Sequence, residues 1–492
     1  MHKPLTLTFC AMFLSVGVTT AQTQQQQPAA TPPADAKPAP AVEELEKDNG
    51  LRLDAGADLR VRQEMADNIP GHPGDPLSPY PTASGKNQNW IRYRPRVWGK
   101  AEYGDFGVYV RLADEMREYI VKNHKRRDDR SYNFPDELIV DNLYFEGKGL
   151  FNDFLDFRIG RQDFLDGGAP AYGAGRTMMD GTPYDGSRTL FMDAARFILH
   201  MTDKTTLDAF AIYNNSRNEL HWGRPTPDPR PMNAIDPRDE ADMDEWGGGL
   251  YLKSREISDQ LPFELYWIYK HDSDYHLLGN YMPARYVNTF GVRFIPQFTE
   301  ELSAELEGAA QRGEKSNGTQ TGGYMGYAAL KYRPEWETVS PARLFFKADC
   351  YYLSGDKHRG KDDNDTAWDP VWARWPQDSE MLVYGPLYGL GYWSNMVYPT
   401  LGTGADIAKH HKLNLYSGPM FAAVQDGLGG GDSNYEGWLS VARYDFPIWL
   451  NKSEGGRGEI FGHIMAECFQ PGDYYESDKT AYFFRWEVVL KF

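Results

Sequence analysis

Charged and apolar residues alternate one by one over long stretches of this chain, and that period of two limits what it can become. In Leu51–Arg62, the residues Leu51, Leu53, Ala55, Ala57, Leu59 and Val61 share one side. Arg52, Asp54, Asp58, Arg60 and Arg62 share the other. A helix would scatter those charges around its circumference, whereas a strand points successive side chains to opposite faces and separates the two sets. The pattern recurs with Ile91, Tyr93, Pro95, Val97 and Tyr103 against Arg92, Arg94, Arg96, Lys100 and Glu102. It recurs again with Phe106, Val108, Val110 and Leu112 against Tyr109 and Arg111. The expectation is an all-β fold of two-faced strands.

Such strands fit a soluble sandwich or a barrel in lipid, and the connections separate the two. Long polar connections fall near 66–88, 116–135, 164–187, 215–243, 272–285, 313–322, 355–405, 427–434 and 470–479. Between them lie mostly short turns, such as Tyr103-Gly104-Asp105, Thr202-Asp203-Lys204 and Ser417-Gly418-Pro419. Long loops on one side and short turns on the other describe a transmembrane antiparallel β-barrel, here of about 18 strands with both termini on the periplasmic side. The mean hydropathy of −0.62 is no obstacle, because alternation hides a barrel's lipid-facing residues. Aromatic residues make up 14% of the chain, which suits both interfacial girdles and carbohydrate-binding surfaces.

The two ends agree with export. Residues 1–21 read as a secretory signal peptide: Lys3 gives a positive start, Leu5–Val18 an apolar core, and Thr19-Thr20-Ala21 a small-residue cleavage site. Cys10 lacks the small-residue surroundings of a lipoprotein cleavage box, so no lipid anchor is expected. Residues 22–50 are a Gln/Pro/Ala-rich periplasmic segment that ends in a charged lead-in, too polar to bury a core and expected to be disordered. Residues 51–492 form the barrel. In its last stretch Tyr482, Phe484, Trp486, Val488, Leu490 and Phe492 alternate with Phe483, Arg485, Glu487, Val489 and Lys491. An amphipathic strand ending in Phe492 resembles the signal recognised by the barrel-assembly machinery. The expected setting is the bacterial outer membrane, with its lipid as a partner. The net charge of −18 argues against nucleic acid as a partner. Cys350 and Cys468 make neither a disulfide framework nor a metal cluster, and small lipid-facing positions suit them.

If the apolar set faces lipid, Arg60, Arg92, Arg94, Arg96, Lys100 and Arg111 face the lumen, because unpaired charge is costly in lipid. Rings of Arg and Lys favour anions, and Arg offers bidentate donors matched to carboxylates. Three readings of this face stay open. The cations can form a path for anions, they can brace neighbouring strands through Asp54, Asp58 and Glu102, or Trp and Tyr can offer stacking surfaces to neutral sugars.

Several motifs resemble the alginate export family of bacterial outer-membrane β-barrel proteins. Phe157-Arg-Ile-Gly-Arg-Gln162 precedes a Gly-rich loop and Pro183-Tyr-Asp-Gly-Ser-Arg188. Ser354-Gly355-Asp356 precedes Ala367-Trp-Asp-Pro370, and Gln470-Pro-Gly-Asp-Tyr474 precedes the last strand. Arg94-Pro95 and the closing aromatic-Gly pair sit within Ile91–Gly99. The resemblance implies a polysaccharide-exporting channel and adds Arg161 and Arg188 to the substrate path. Of the family's basic selectivity positions Arg94 is retained, while Asp141-Asn142, Asp163 and His463 stand at the others.

The expected function is therefore a channel for diffusion or export of anionic saccharides or related acids. The alternative is a surface adhesin or scaffold with long extracellular binding loops. Enzyme chemistry is not expected. No Gly-x-Ser-x-Gly elbow and no His-Glu-x-x-His are present, and the neighbours His410 and His411 would point to opposite faces of a strand. No cofactor is expected either. Asp362-Asp363-Asn364-Asp365 with Asp369, and Asp239–Glu245, carry closely spaced oxygen ligands for calcium but lack a complete loop signature, and solvated acidic loops explain them as well.

Overall fold

The computed structural model describes residues 50–71, 88–120, 137–166, 169–178, 191–217, 220–223, 243–277, 280–335, 343–358, 363–373, 379–383, 393–408, 410–450 and 458–492. Residues 1–21, read from the sequence as a signal peptide, nearly all of the 22–50 segment and residues 183–188 lie outside these residues.

Each alternating stretch forms a strand. In chain order they are β1 (Arg52–Asp67), β2 (Gln88–Tyr103), β3 (Phe106–Ala113), β4 (Glu137–Gly149), β5 (Leu155–Gln162) and β6 (Met192–Thr202). Then come β7 (Thr205–Asn214), β8 (Glu245–Ser254), β9 (Phe263–Asp272), β10 (Arg285–Phe294), β11 (Leu302–Lys315) and β12 (Tyr324–Tyr332). The last six are β13 (Arg343–Leu353), β14 (Met396–Ala408), β15 (His411–Phe421), β16 (Tyr435–Leu450), β17 (Glu459–Pro471) and β18 (Ala481–Lys491). Every strand pairs antiparallel with the next, and β18 pairs back onto β1 from Asp58↔Lys491 to Asp67↔Tyr482. Among the described residues this is a closed antiparallel barrel of eighteen strands with almost no helix. Closure matters because an open edge would leave backbone N–H and C=O groups without partners in lipid.

The predicted faces are the observed ones. Leu53 and Leu401 are each 73% exposed on the outer wall, with Val97, Val108, Phe290 and Ile464 exposed beside other strands. Arg60, Arg62, Glu64 and Arg92 are buried inside. Water-soluble monomers do not expose an apolar belt around their whole circumference, whereas a bilayer covers it at no cost. Cys350 lies on the outer face between inward Asp349 and Tyr351, and Cys468 does so between Glu467 and Phe469.

The loop pattern holds with two corrections. Ser417-Gly418-Pro419 is strand, inside β15, and the turn before it includes His410, which takes φ 72°. Gly418 is there for close approach: a Cβ would lie 2.0 Å from the Pro399 carbonyl oxygen. The long connection predicted at 355–405 ends earlier, because β14 starts at Met396.

A second departure concerns where those loops go. The connections after β5 and β13 fold into the barrel. Phe164, Tyr172, Met178, Trp368, Val371 and Trp372 are buried there against Phe210, Tyr251, Tyr266, Tyr327 and Tyr351 of the inner wall. They are apolar segments inside loops that look polar as a whole, and burying them is what draws the loops inward.

Candidate functional site in the lumen

The cations picked out by alternation do gather on one inner arc, from β1 to β3, and carboxylates of neighbouring strands and connections meet each of them. Arg60 bonds Glu115 at 2.8 Å, and Arg92 bonds the same carboxylate at 2.6 Å through Nε. Arg94 lies 3.9 Å from Asp58, which Arg96 holds more closely at 2.9 Å. Lys100 bonds Glu102 at 2.5 Å and Glu146 at 2.8 Å. Arg111 sits between Asp141 at 2.6 Å and Asp163 at 3.2 Å. Arg161, which the family resemblance added to the path, is not on this arc: it stands in register with Leu143 and Asp193, on the same side of β5 as the outward Ile159, and bonds Asp193 at 2.7 Å. Arg188 lies outside the described residues.

The partners come from far along the chain. Glu64 of β1 accepts from Arg485 of β18 at 2.6 Å, and Glu115 is separated from Arg60 by two strands' worth of sequence. The arc is thus a ladder of mixed charge in which cations and carboxylates brace one another. At three positions where the family resemblance implies basic residues, this chain has Asp141, Asp163 and His463. The first two hold Arg111, and His463 lies 3.6 Å from Glu487.

The resemblance motifs are fold anchors here. Gln162 donates to the carbonyls of Arg158, Gly160 and Ala194, and Arg161 donates to the Val140 carbonyl. Gly160 takes φ 123°, and a Cβ there would lie 2.4 Å from the Leu143 oxygen. Trp368 donates its backbone N–H to the Ser354 carbonyl, which joins the two halves of the second motif. Gly472 and Tyr474 donate to the carbonyls of Glu436 and Tyr435 at the barrel mouth.

Two inward segments narrow the lumen. The first, residues 163–178, lies along β7 to β12. Tyr172 donates to Asp208 at 2.8 Å, and its ring sits 4.5 Å from that of Tyr251. Arg176 bonds Glu305 and Glu307 at 2.7 Å each, with its guanidinium 3.6 Å over the Tyr327 ring. Burial disfavours the charged Asp166 carboxylate, but hydrogen bonds from Arg196 and the Arg196 charge outweigh that and hold its carboxyl below the ordinary value. The second segment, residues 363–373, meets the first: Trp372 donates its backbone N–H to the Thr177 carbonyl and its indole N–H to Glu245. Asp365 and Asp369, considered as calcium ligands, bond Lys315 and Arg285 at 2.6 Å each. In the second run Asp244 accepts from the Ser216 hydroxyl and Glu245 bonds Lys270 at 2.7 Å, while Asp362 and residues 239–242 lie outside the described residues.

Arg176, Trp372 and the inward lysines Lys331, Lys347 and Lys412 were not singled out from the sequence. The lysines carried the same alternation signal as the arginines, in Tyr324–Tyr332 and Arg343–Leu353.

A closed eighteen-strand wall with an apolar outside and a charged inside defines a bacterial outer-membrane β-barrel of the porin type. Solved structures of this fold include OccAB1 of Acinetobacter baumannii, with TM-score 0.53 and 10% identity over 89% of this chain and 96% of that one. OpdQ of Pseudomonas aeruginosa gives TM-score 0.51 and 10% identity over 89% and 97%. OpdK of Pseudomonas aeruginosa, solved with vanillate, gives 0.50 and 9% over 89% and 98%. At this identity the likeness establishes the fold. No family model and no curated relative matches the chain.

Proposed function

We propose that this barrel is a channel through which small organic acids cross the outer membrane. The observation that carries the reading is the inner wall: charged side chains line a lumen enclosed by a continuous, lipid-facing shell. Arg60, Arg92, Arg94, Arg96, Lys100 and Arg111, with Arg188, form the substrate path of this proposal, and the carboxylates that meet the described cations let an anion pass without trapping it. Conduction requires such weak, repeated contacts. The fold shared with OpdK, a barrel solved with vanillate, supports an acid as the solute. The reading extends to acidic sugars through the alginate-export motifs, whose order along the chain and retained Arg94 are its support. Phe492, with its side chain exposed and its backbone bonded to Ala57, serves as the recognition end for barrel assembly.

One observation favours the scaffold reading instead: the segments 163–178 and 363–373 meet inside the lumen. A planar-bilayer recording of the purified protein separates the two. A channel gives discrete conductance steps with a reversal potential on the anion side in a KCl gradient. A sealed scaffold gives none. A solute panel of acidic sugars, aromatic acids and neutral sugars in liposome swelling then ranks the substrates.

A further inference from the structure

The inner face of β12 to β15 carries a second set of cations, arranged unlike the arginine arc. Lys331 of β12 stands directly opposite Lys347 of β13 in the antiparallel register. Both point into the lumen, sharing their strands' inner faces with buried Tyr327 and Tyr351. Like charges in facing positions repel, so the sheet gains nothing from this pair. Lys347 has a partner in Asp349 at 2.7 Å. Lys331 makes no ion pair among the described residues. The charges that bear on it are Arg333, Lys412 and Lys347, opposed by Asp406, and Arg333 already holds Asp406 at 2.7 Å. Lys412 of β15 makes no ion pair among the described residues either. Of the carboxylates near it, Asp406 is bonded by Arg333 and Asp445 by Arg443 at 2.6 Å.

Ring faces lie beside these ammonium groups. β14 has no side chain where it crosses the patch: Gly402 is level with Lys347 on one side and Tyr416 on the other. A Cβ at Gly402 would come within 2.7 Å of the Tyr416 ring, and one at Gly404 within 2.4 Å of the Phe345 ring, so both rings lie flat over bare backbone. Lys331 sits 5.2 Å from the Phe345 ring centre and Lys347 5.5 Å from that of Tyr416. A cavity of about 550 Å³ opens alongside, lined by Lys412, Asn414, Tyr416, Arg443 and His463 among others.

We infer that Lys331, Lys347 and Lys412, with Phe345 and Tyr416, form a lumen site for a small monocarboxylate with a flat apolar or aromatic body. The inference rests on the channel reading and locates its selective step. An ammonium is a point charge with rotatable donors, so it accepts a carboxylate in several orientations, as a transit site requires. The ring faces take an aromatic body by offset or edge-to-face contact. The arginine arc spends its cations on carboxylates of the wall, whereas this patch leaves the charge of Lys331 and Lys412 to a passing acid.

The test uses the full-length protein in planar bilayers, with heat-modifiable gel mobility confirming that each variant has assembled. In a KCl gradient the unmodified channel is expected to prefer chloride, and sodium benzoate to reduce the chloride current at lower concentration than sodium acetate. Lys331→Gln with Lys412→Gln should lower the anion-to-cation permeability ratio several-fold and abolish the benzoate effect, and Lys412→Arg should retain both. Tyr416→Leu should keep the anion preference while erasing the difference between benzoate and acetate. Single lysine changes, each removing one repelling charge, serve if the double variant does not assemble. An anion-selective channel whose selectivity and benzoate response survive the lysine changes overturns this assignment alone. An unmodified protein without anion conductance overturns the channel reading and the assignment with it.

Discussion

Arg176, in the first inward segment, bonds Glu307 of β11 at 2.7 Å, so a loop that leaves the barrel wall after β5 is fastened to the wall again six strands further round. Both groups are buried, and the guanidinium also rests on Tyr327. Removing one member of such a pair leaves a buried charge uncompensated, at a cost of about 3–5 kcal/mol. Arg176→Ala should therefore free residues 163–178 while the wall strands remain paired. Single-channel conductance should rise, and protease added to the loop side should cut between β5 and β6. Unchanged conductance together with unchanged cleavage would show that the apolar contacts of Phe164, Tyr172 and Met178 suffice to hold the segment.

Arg94 lies 3.9 Å from Asp58 on the inner wall. Arg94→Glu should shift the reversal potential toward cations, because it replaces a positive charge of the inner wall by a negative one. The shift should shrink at 1 M salt, where the screening length falls to about 3 Å. Arg96→Gln should do less to selectivity and more to stability, since Arg96 is bonded to Asp58 at 2.9 Å. An unaltered potential for Arg94→Glu would assign the whole arc to bracing.

Cys350 and Cys468 sit on the lipid face of strands β13 and β17 as free thiols. In liposomes, a charged maleimide that stays in water should leave both unlabelled, and a lipid-soluble maleimide should react with them. Labelling by the charged reagent would place these faces in water and contradict the orientation of the wall.

Gly160 combines φ 123° with backbone of the preceding strand, β4, 2.4 Å from where a Cβ would lie. Backbone strain in such sparsely populated regions costs of order 1–3 kcal/mol, and the clash adds to it. Gly160→Val should lower the temperature at which the barrel loses its compact gel mobility. Gly318, also at positive φ but with nothing within 4 Å of a Cβ, is the control, and Gly318→Ala should shift that temperature less.

The strands were legible because the two solvents of a barrel wall, lipid and lumen, write opposite residue types into alternate positions. Leu51–Arg62 shows this without any help from its neighbours. The turn at His410 was not legible, since His410 adopts φ 72° with no glycine or proline at hand, while Gly418-Pro419 advertised a turn and formed strand. The arginines of the site could be placed on the inner face, but not their state. Whether Arg60 or Arg92 is available depends on Glu115, and Glu64 answers to Arg485 at the far end of the chain. Such pairings depend on which strands become neighbours, and alternation within one strand does not carry that. The inward loops were hidden by averaging: polar residues surround Phe164, Tyr172, Met178 and Trp372, so the segments look like loops while their centres behave as core.

The meeting of residues 177–178 with Trp372 has a mechanical consequence. One segment springs from the wall between β5 and β6, the other from between β13 and β14, positions eight strands apart in a ring of eighteen. Joined against the wall, where Trp372 bonds Glu245 of β8 and Arg176 bonds Glu307 of β11, they act as a brace along one side of a hoop. A bare hoop embedded in lipid can flatten under uneven lateral pressure, and its aperture then follows the membrane around it. A hoop braced along one side resists bending there, so the wall from β8 to β11 keeps its curvature through the protein's own interior and not through the tension of the bilayer.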